Sequence, residues 1–333
     1  MSTRRFTYIL ALVTALSCSS AFVAGQSKSS AVPRTPEGKP DLQGVWDFRT
    51  ITPMERPKAL ADKAVMTQEE AREWEIQNRR NQDVRENAPS RIVGGQQSTA
   101  DVDRAYNDFW WDFGDNGVRT RRTSLVVDPP DGQIPPLTAE GQKRAVERRQ
   151  RFEGVALGPE DRSLAERCIL GLNDGPPMFP HAYNNNLQIV QTSDYVVLHS
   201  EMVHNARVVP LVDKATLRLP AWSGNSRGRW EGDTLVIETT GFLGQTSFPN
   251  SSETLHLIER FTRTDEGTLT YRFTLSDPTT WTRPWTAELP MVRSNGMMFE
   301  YACHEANYGM EGLLKGARFM EKQGTAPTQG SIR

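Results

Sequence analysis

Residues able to do acid–base chemistry alternate along the stretch 195–211. The period-two alternation typical of a β-strand places His199, Glu201 and Arg207 on one face. A histidine or a carboxylate can serve as a general base, and a neighbouring cation adjusts its pKa. We therefore expect a polar pocket if this face points into the fold, and an ordinary solvated face if it points outward.

Further candidates lie on either side of this stretch. His304, near the end of the last predicted strand, completes the predicted catalytic set. The predicted substrate-binding residues are aromatic or basic: Trp110, His256, Arg260, Trp281 and Tyr308. Each alone is also typical of packing, capping or a salt bridge. Taken together, the five histidines between residues 181 and 304 favour a polar interior site.

The elements that must position these residues are strands. Segments with strand-like patterns recur about every ten residues from Leu187 onward, separated by Gly, Asp and Asn turns. They are 187–192, 195–203, 206–211, 226–230, 234–240, 254–264, 268–276, 285–293 and 297–304. This spacing predicts a mainly β fold, either an antiparallel β-barrel of lipocalin-like form or a sandwich. An apolar stripe predicts a closing C-terminal helix over 308–322.

The N-terminal half has a different character. A capping box at Thr67–Glu70 predicts a helix to about Arg85, and Thr138 is expected to cap a second helix to about Phe152. An aromatic and proline-rich arm lies between them. The predicted organisation has five parts: a signal peptide over 1–25, a flexible tether over 26–40, an N-terminal helical and extended annex over 41–170, an antiparallel β-domain with its helix over 171–324, and a tail over 325–333.

The first 25 residues have the features of an export signal. Arg4 and Arg5 precede a short apolar segment, residues 6–16, which is too brief to span a bilayer. Cys18 offers an alternative ending, as a lipid-attachment cysteine. We expect an exported protein, periplasmic or secreted, without stable membrane insertion.

Two cysteines remain after this segment, Cys168 and Cys303. In an oxidising compartment an even pair predicts a disulfide. Buried free thiols are one alternative, and a metal site with His304 is another. No metal-binding spacing supports the second, and we predict no metal and no cofactor.

Charge argues against nucleic-acid and membrane-surface partners. The chain carries 39 basic and 41 acidic residues, a net charge of −2. One basic cluster lies on the second predicted helix, where the charge pattern predicts a solvated face. Its members are Lys143, Arg144, Arg148, Arg149 and Arg151.

Four segments carry a resemblance to known proteins. They are Pro-Asp-Leu-Gln-Gly-Val-Trp at 40–46, Thr-Ser-Leu-Val-Val-Asp-Pro-Pro-Asp-Gly-Gln-Ile-Pro-Pro-Leu-Thr at 123–138, Gly-Arg-Trp-Glu-Gly-Asp-Thr-Leu-Val at 228–236, and Phe-Glu-Tyr-Ala-Cys-His-Glu-Ala-Asn-Tyr at 299–308. Together they resemble a family of exported proteins of acidobacteria and proteobacteria. Gly44-Val45-Trp46 is also similar to the lipocalin (calycin) pattern. The resemblance implies export but no particular reaction.

Several standard enzyme motifs do not occur in the sequence. It has no nucleophile elbow, P-loop or dinucleotide fingerprint. The hypothesis is an exported enzyme that uses acid–base residues in a β-barrel pocket on a small organic molecule, of lyase, isomerase or hydrolase type. The alternatives are a lipocalin-like small-molecule binding protein and a non-catalytic component of the envelope.

Overall fold

The described part of the chain forms one fold. The computed structural model describes residues 32–86, 92–93, 96–97, 112, 114–171, 173–212, 219–244, 248–305 and 307–324. The chain divides between Ala31 and Val32, and every described residue belongs to the second unit. Within these residues, no helix combines the length and apolar character needed to cross a membrane.

Ten strands build one antiparallel sheet. In chain order the strands are β1 Gly44–Asp47, β2 Ile92–Val93, β3 Gln96–Gln97, β4 Val126–Asp128, β5 Asn186–Gln191, β6 Tyr195–Ser200, β7 Ala206–Pro210, β8 Asn225–Glu231, β9 Thr234–Thr240, β10 His256–Arg263, β11 Thr268–Ser276 and β12 Trp285–Ser294. The sheet runs β7-β6-β5-β1-β12-β11-β10-β9-β8, with β4 added beside β12, while β2 and β3 pair separately. The stretch 41–170 thus supplies two strands of this sheet, and β1 lies in its interior, between β5 and β12.

The edges of this sheet approach each other without pairing. Among the described residues β7 and β8 form no hydrogen-bonded ladder, so the sheet is not closed. Yet a Cβ added at Gly228 of β8 would lie 2.6 Å from Leu211 Cδ2 and 3.1 Å from Val209 Cγ1, so side chains of β7 and of the residue after it pack closely against β8. The prediction of a mainly β, antiparallel fold is confirmed, and the sheet curves enough to bring its two edges into contact.

Three α-helices lie outside the sheet in the described residues. They are α1 Gln68–Glu86, α2 Ala139–Glu153 and α3 Tyr308–Lys322. Local signals explain their starts. The predicted capping box forms, because Glu70 N–H donates to Thr67 Oγ1 at 3.2 Å and Thr67 N–H donates to Glu70 Oε2 at 2.8 Å. Thr138 Oγ1 likewise accepts from Gly141 N–H at 3.0 Å, so both predicted helix starts are confirmed.

Two strand predictions are wrong in instructive ways. The predicted strand 195–203 ends at Ser200, since a short 3-10 helix at Met202–His204 separates β6 from β7, and the period-two alternation does not continue across it. Val203 (φ 46°) and His204 (φ 42°) occupy the left-handed region there, which reverses the chain. Residues 297–304 are not a strand but irregular chain leading into a turn.

The core fills the inner face of the sheet. Five of its largest fully buried side chains are aromatic residues of β1, β10, β11 and β12: Trp46, Phe261, Tyr271, Phe273 and Trp285. Four of these rings form a chain of contacts, from Phe261 through Tyr271 and Phe273 to Trp285, with centroids 4.8 to 6.0 Å apart. The polar groups described next are embedded beside this aromatic core.

Candidate active site

Strand β10 turns a carboxylate toward the core. Its residues alternate between partly exposed and buried, so that Leu257, Glu259 and Phe261 face inward while His256 and Arg260 face outward. Glu259 has no exposed surface. An ionised carboxylate is costly to bury unless a cation and hydrogen bonds compensate it, so its partners decide what it does.

Those partners come from β7 and β11. Arg207 donates two hydrogen bonds to Glu259, from Nη1 to Oε2 at 2.5 Å and from Nη2 to Oε1 at 2.9 Å. Tyr271 Oη donates to Glu259 Oε1 at 2.7 Å and accepts from the Met178 N–H at 3.1 Å. The fork geometry makes this a strong ion pair, and it joins an edge strand to β10 across the inside of the sheet.

A buried loop lies inside the sheet beside this ion pair. All six residues of the stretch 173–178, here called the inner segment, are buried. Asn173 anchors its start, because its side-chain amide donates to Tyr183 O and to Asn185 Oδ1, both at 2.9 Å. Met178, at its end, is held by Tyr271. The inner segment therefore fills the space where the sequence predicted a pocket.

Asp174 in the inner segment is the electrostatic outlier. It is 6% exposed, and neither carboxylate oxygen accepts a hydrogen bond of normal geometry from the residues that the structure describes. Burial raises its pKa to about 7, although the Gly171 N–H, the Asn205 side chain and the charge of Arg207 all act to lower it. The backbone N–H of Asp174 acts in the same direction, but burial is the largest effect and the net shift of the pKa is upward.

Tyr271 and Arg207 are each fixed in one protonation state. Burial and then the neighbouring charge of Glu259 raise the pKa of Tyr271 well above its usual value, so the phenol keeps its proton. Burial alone would lower the pKa of Arg207, but the charge and hydrogen bonds of Glu259 outweigh this and raise it. Asp174, Arg207, Glu259 and Tyr271 are hereafter the interior cluster. Within it, Asp174 is the group whose proton is exchangeable near neutral pH.

The predicted acid–base face is split by the break at Met202–His204. His199 pairs with Ala206 across the hairpin and lies on the half-exposed outer side, where its Nδ1 is 3.3 Å from Gln188 Oε1. Arg207 pairs with the buried Leu198 and faces inward. The interpretation that His199 and Arg207 share a face is therefore wrong.

Glu201 is buried but has a different set of contacts. Its carboxylate accepts from Asn186 Nδ2 at 2.6 Å and from the Phe299 N–H at 2.9 Å. These bonds hold the irregular 297–304 stretch against the start of β5. No described contact joins Glu201 to the interior cluster, so Arg207 is the one predicted catalytic residue found there.

The predicted substrate-binding residues do not gather around the interior cluster. On the outer face, His256 Nε2 lies 2.7 Å from Glu238 Oε1, and Arg260 Nη1 lies 2.7 Å from Glu231 Oε2. Trp281 is a core residue, with its ring centroid 5.7 Å from that of Trp285.

The remaining predicted site residues lie apart from it as well. His304 is exposed in a turn, and Tyr308 is 76% exposed at the start of α3. Trp110 lies outside the described residues, as do the predicted signal peptide and Cys18.

The disulfide prediction is confirmed. Cys168 and Cys303 are joined, with a Cα–Cα distance of 5.7 Å, across 135 residues of chain. This pairing excludes buried free thiols and a metal site that uses both sulfurs as ligands. Within the part of the chain that the structure describes, no three His, Cys, Asp or Glu side chains are placed to hold a metal ion.

A separate cleft of about 920 Å³ opens elsewhere on the protein. It is lined by α1, by residues 114–122 and by parts of β1 and β12, and no residue of the interior cluster contributes to it. Trp74 lies on its wall. Arg72 and Arg121 also line it, and neither has an acidic partner among the described residues. The cleft that could hold a small molecule and the residues suited to acid–base chemistry are therefore in different parts of the protein.

Sequence reasoning missed three of the four cluster members, for different reasons. Glu259 and Tyr271 occupy inward positions of strands with clear alternation. A polar residue at a position where the alternation predicts an apolar, buried side chain was the signal that could have identified them. Asp174 lies in a glycine- and proline-rich stretch that predicts only a loop, and no local pattern shows that this loop is buried.

Comparisons with family models, with curated proteins and with solved structures find no match to the chain. The resemblance to exported bacterial proteins and to lipocalins therefore stays a prediction.

Proposed function

We propose that the protein is an exported enzyme that uses Asp174 as a general acid–base group on a small organic molecule. The observation that carries this proposal is a buried carboxylate that accepts no hydrogen bond of normal geometry from the described residues, beside an otherwise satisfied ion pair. Unsatisfied buried polar groups are rare, and perturbed carboxylates concentrate at functional sites. The reaction class is a lyase, isomerase or hydrolase.

The chemistry follows from the protonation states of the interior cluster. With its pKa raised to about 7 by burial, Asp174 can accept a proton in one step and return it in the next. Arg207 stays charged and can stabilise negative charge developing on a substrate oxygen. Glu259 and Tyr271 then act as positioning residues, because they hold the guanidinium in place. The preferred substrate is a small carbonyl or carboxylate compound that loses a proton next to that group.

Substrate access requires the inner segment to move. Asp174 is buried, and no member of the interior cluster lines the cavities of about 920, 480 and 200 Å³ among the described residues. Opening of loops over a buried site is a common step in enzyme turnover. The proposal therefore includes outward displacement of residues 173–178 when substrate binds.

The surrounding fold is proposed to be a lipocalin-like barrel closed by side chains. Support comes from the contact between β7 and β8 at Gly228 and from the Arg207–Glu259 pair that spans the interior. Export is supported by the Cys168–Cys303 disulfide, since such bonds persist in oxidising compartments.

A proton-exchange screen tests the enzyme. The purified protein is incubated in D₂O with a panel of small carbonyl and carboxylic compounds, and loss of C–H signals is followed by NMR. We expect exchange that Asp174→Asn abolishes and that Asp62→Asn, which alters an exposed carboxylate without a described partner, leaves unchanged. Exchange that persists in Asp174→Asn would remove Asp174 from the mechanism.

A binding protein is the second candidate, favoured by the cleft. Its volume of about 920 Å³ lies within the ~300–1,000 Å³ typical of small-molecule sites. Quenching of Trp74 fluorescence by anionic aromatic ligands would report binding, and Arg72→Gln should weaken it. Arg79→Gln, on an exposed position of the same helix, is the control. Saturable quenching without any proton exchange would favour this function over the enzyme.

A further inference from the structure

The basic cluster on α2 is not uniformly solvated. Arg144, Arg148 and Arg151 follow one another at spacings of four and three residues, so they share a face of the helix. Together with Phe152, Asn250 and other residues they line a cavity of about 200 Å³. Glu147 also lines it, but its carboxylate is 59% exposed and lies 3.9 Å from Lys143 Nζ. Arg149, between them in sequence, is exposed and does not line it.

Two of the three arginines are already paired. Arg144 Nη1 donates to Glu140 Oε1 at 2.7 Å, and its Nη2 donates to Thr280 Oγ1 at 2.7 Å. Arg151 Nε donates to Asp161 Oδ1 at 3.0 Å. Carboxylates of the protein therefore already balance the charges of these two side chains.

Arg148 has no such partner in the part of the chain that the structure describes. Its guanidinium lies over the Phe152 ring, 5.4 Å from the centroid, and makes no described hydrogen bond or ion pair. Burial lowers the pKa of Arg148, but an arginine stays protonated at any physiological pH. A partly desolvated cation without an anion is unfavourable, and its in-plane N–H groups remain available as donors.

The opposite wall of the cavity adds a second polar group. Asn250 is half-buried, and its side-chain amide makes no hydrogen bond with the described residues. Its backbone carbonyl accepts a hydrogen bond from Thr280 Oγ1 at 3.2 Å. An amide and a planar guanidinium are both suited to bind an oxyanion. The cavity is smaller than the ~300–1,000 Å³ of sites for drug-sized ligands, so a small ion or a single anionic group fits its size.

We infer that this cavity is a binding site for a phosphate-type oxyanion, held by the guanidinium of Arg148 and the amide of Asn250. The anion supplies the counter-charge that Arg148 lacks. The site is independent of the interior cluster and of the cleft, and it stands whether or not the proposed reaction is found.

Inorganic phosphate is the probe. Binding to the purified protein with its disulfide intact is measured by calorimetry and by the shift in Tm, at constant ionic strength set with chloride. We expect Arg148→Gln to weaken phosphate binding about tenfold to 100-fold, the usual effect of losing a charge-assisted hydrogen bond. Arg149→Gln removes the same charge one residue away and should bind as the wild type does.

A second readout separates ligand binding from a packing role. Without phosphate, Arg148→Gln should be at least as stable as the wild type, because it removes an uncompensated charge. Equal phosphate binding by wild type and Arg148→Gln would overturn the inference. If that variant does not fold, Arg148→Met replaces it, and undiminished phosphate binding by the methionine variant would be equally decisive, because methionine removes both the charge and the N–H donors.

Vesicles containing phosphatidylglycerol distinguish a lipid headgroup from a free anion. We expect co-sedimentation to be the same for Arg148→Gln and Arg149→Gln. Arg148-dependent co-sedimentation without binding of free phosphate would overturn the assignment to a free oxyanion.

Discussion

Replacing Asp174 by asparagine should make the protein more stable at alkaline pH and leave it unchanged in acid. Burial raises the pKa of Asp174 from 3.8 to about 7. Between these values the folded protein holds a proton that the unfolded chain has released, so the stability of the wild type falls as pH rises. Below pH 3.8 Asp174 is protonated in both the folded and the unfolded state. Above pH 7 it is ionised in both, and the folded state bears the full free-energy cost of burying the charge. Asparagine keeps the shape of the side chain but never ionises.

The size of the effect follows from the same shift. One pKa unit corresponds to about 1.4 kcal/mol, so the move from 3.8 to about 7 is worth on the order of 4 kcal/mol. At pH 8 we expect Asp174→Asn to unfold with a free energy about 2–4 kcal/mol above that of the wild type. At pH 4 the two should agree to within about 1 kcal/mol, the scale of a typical surface substitution.

Urea denaturation followed by tryptophan fluorescence, in steps from pH 4 to pH 8, measures the difference directly. Burial acts to raise the pKa values of Asp161 and Asp277, but their hydrogen bonds outweigh it and lower them. Protonating these carboxylates in acid therefore lowers the stability of the protein. Their contribution cancels when wild type and variant are compared at each pH. Asp62→Asn controls for the loss of a negative charge. A difference between wild type and Asp174→Asn that does not change with pH would refute the reasoning.

Three further predictions concern the framework around this residue. Glu259→Gln should cost about 3–5 kcal/mol because it leaves the charge of Arg207 buried, whereas replacing both by apolar residues should cost less than the sum of the single changes in urea unfolding. Gly171→Ala should lower stability by about 1–3 kcal/mol, since its Cβ would lie 2.1 Å from Met202 Cγ; a Tm equal to the wild type would contradict that packing. Reducing the Cys168–Cys303 disulfide should cost up to about 5 kcal/mol by the loop-entropy model, and calorimetry with and without reductant would show an unchanged Tm if it is dispensable.

Local signals predicted most of the secondary structure. The strands 234–240 and 268–276 and the helix 308–322 have the predicted limits, because alternation, turn residues and an apolar stripe define each without reference to the rest of the chain. A break between strands 195–203 and 206–211 was predicted, but the 3-10 helix at Met202–His204 was not. Val203 is β-branched and strongly favours extended backbone, so its positive φ depends on contacts that the sequence does not display.

The site was harder to predict because it is assembled from distant parts of the chain. Arg207 was identified as chemically significant, but which way it faces depends on the break that precedes it. Glu259 is 52 residues away in sequence and lies on a strand that is not its neighbour in the sheet. Their meeting depends on the curvature of the whole sheet, which local patterns do not specify.

The free-energy cost of burying the ionised Asp174 connects the stability of the protein to the proposed reaction. A carboxylate that costs the fold on the order of 4 kcal/mol above neutral pH is difficult to explain as a packing residue, since asparagine would fill the same space without that cost. Residues that reduce stability are characteristic of sites where activity needs an unfavourable environment. If Asp174→Asn proves more stable at pH 8 and also loses proton exchange, a single substitution will have shown that the ionised carboxylate destabilises the fold and that the reaction requires it. If it gains stability and proton exchange continues, the buried charge destabilises the core without serving the reaction. The cleft beside Trp74 then becomes the better candidate for the functional site.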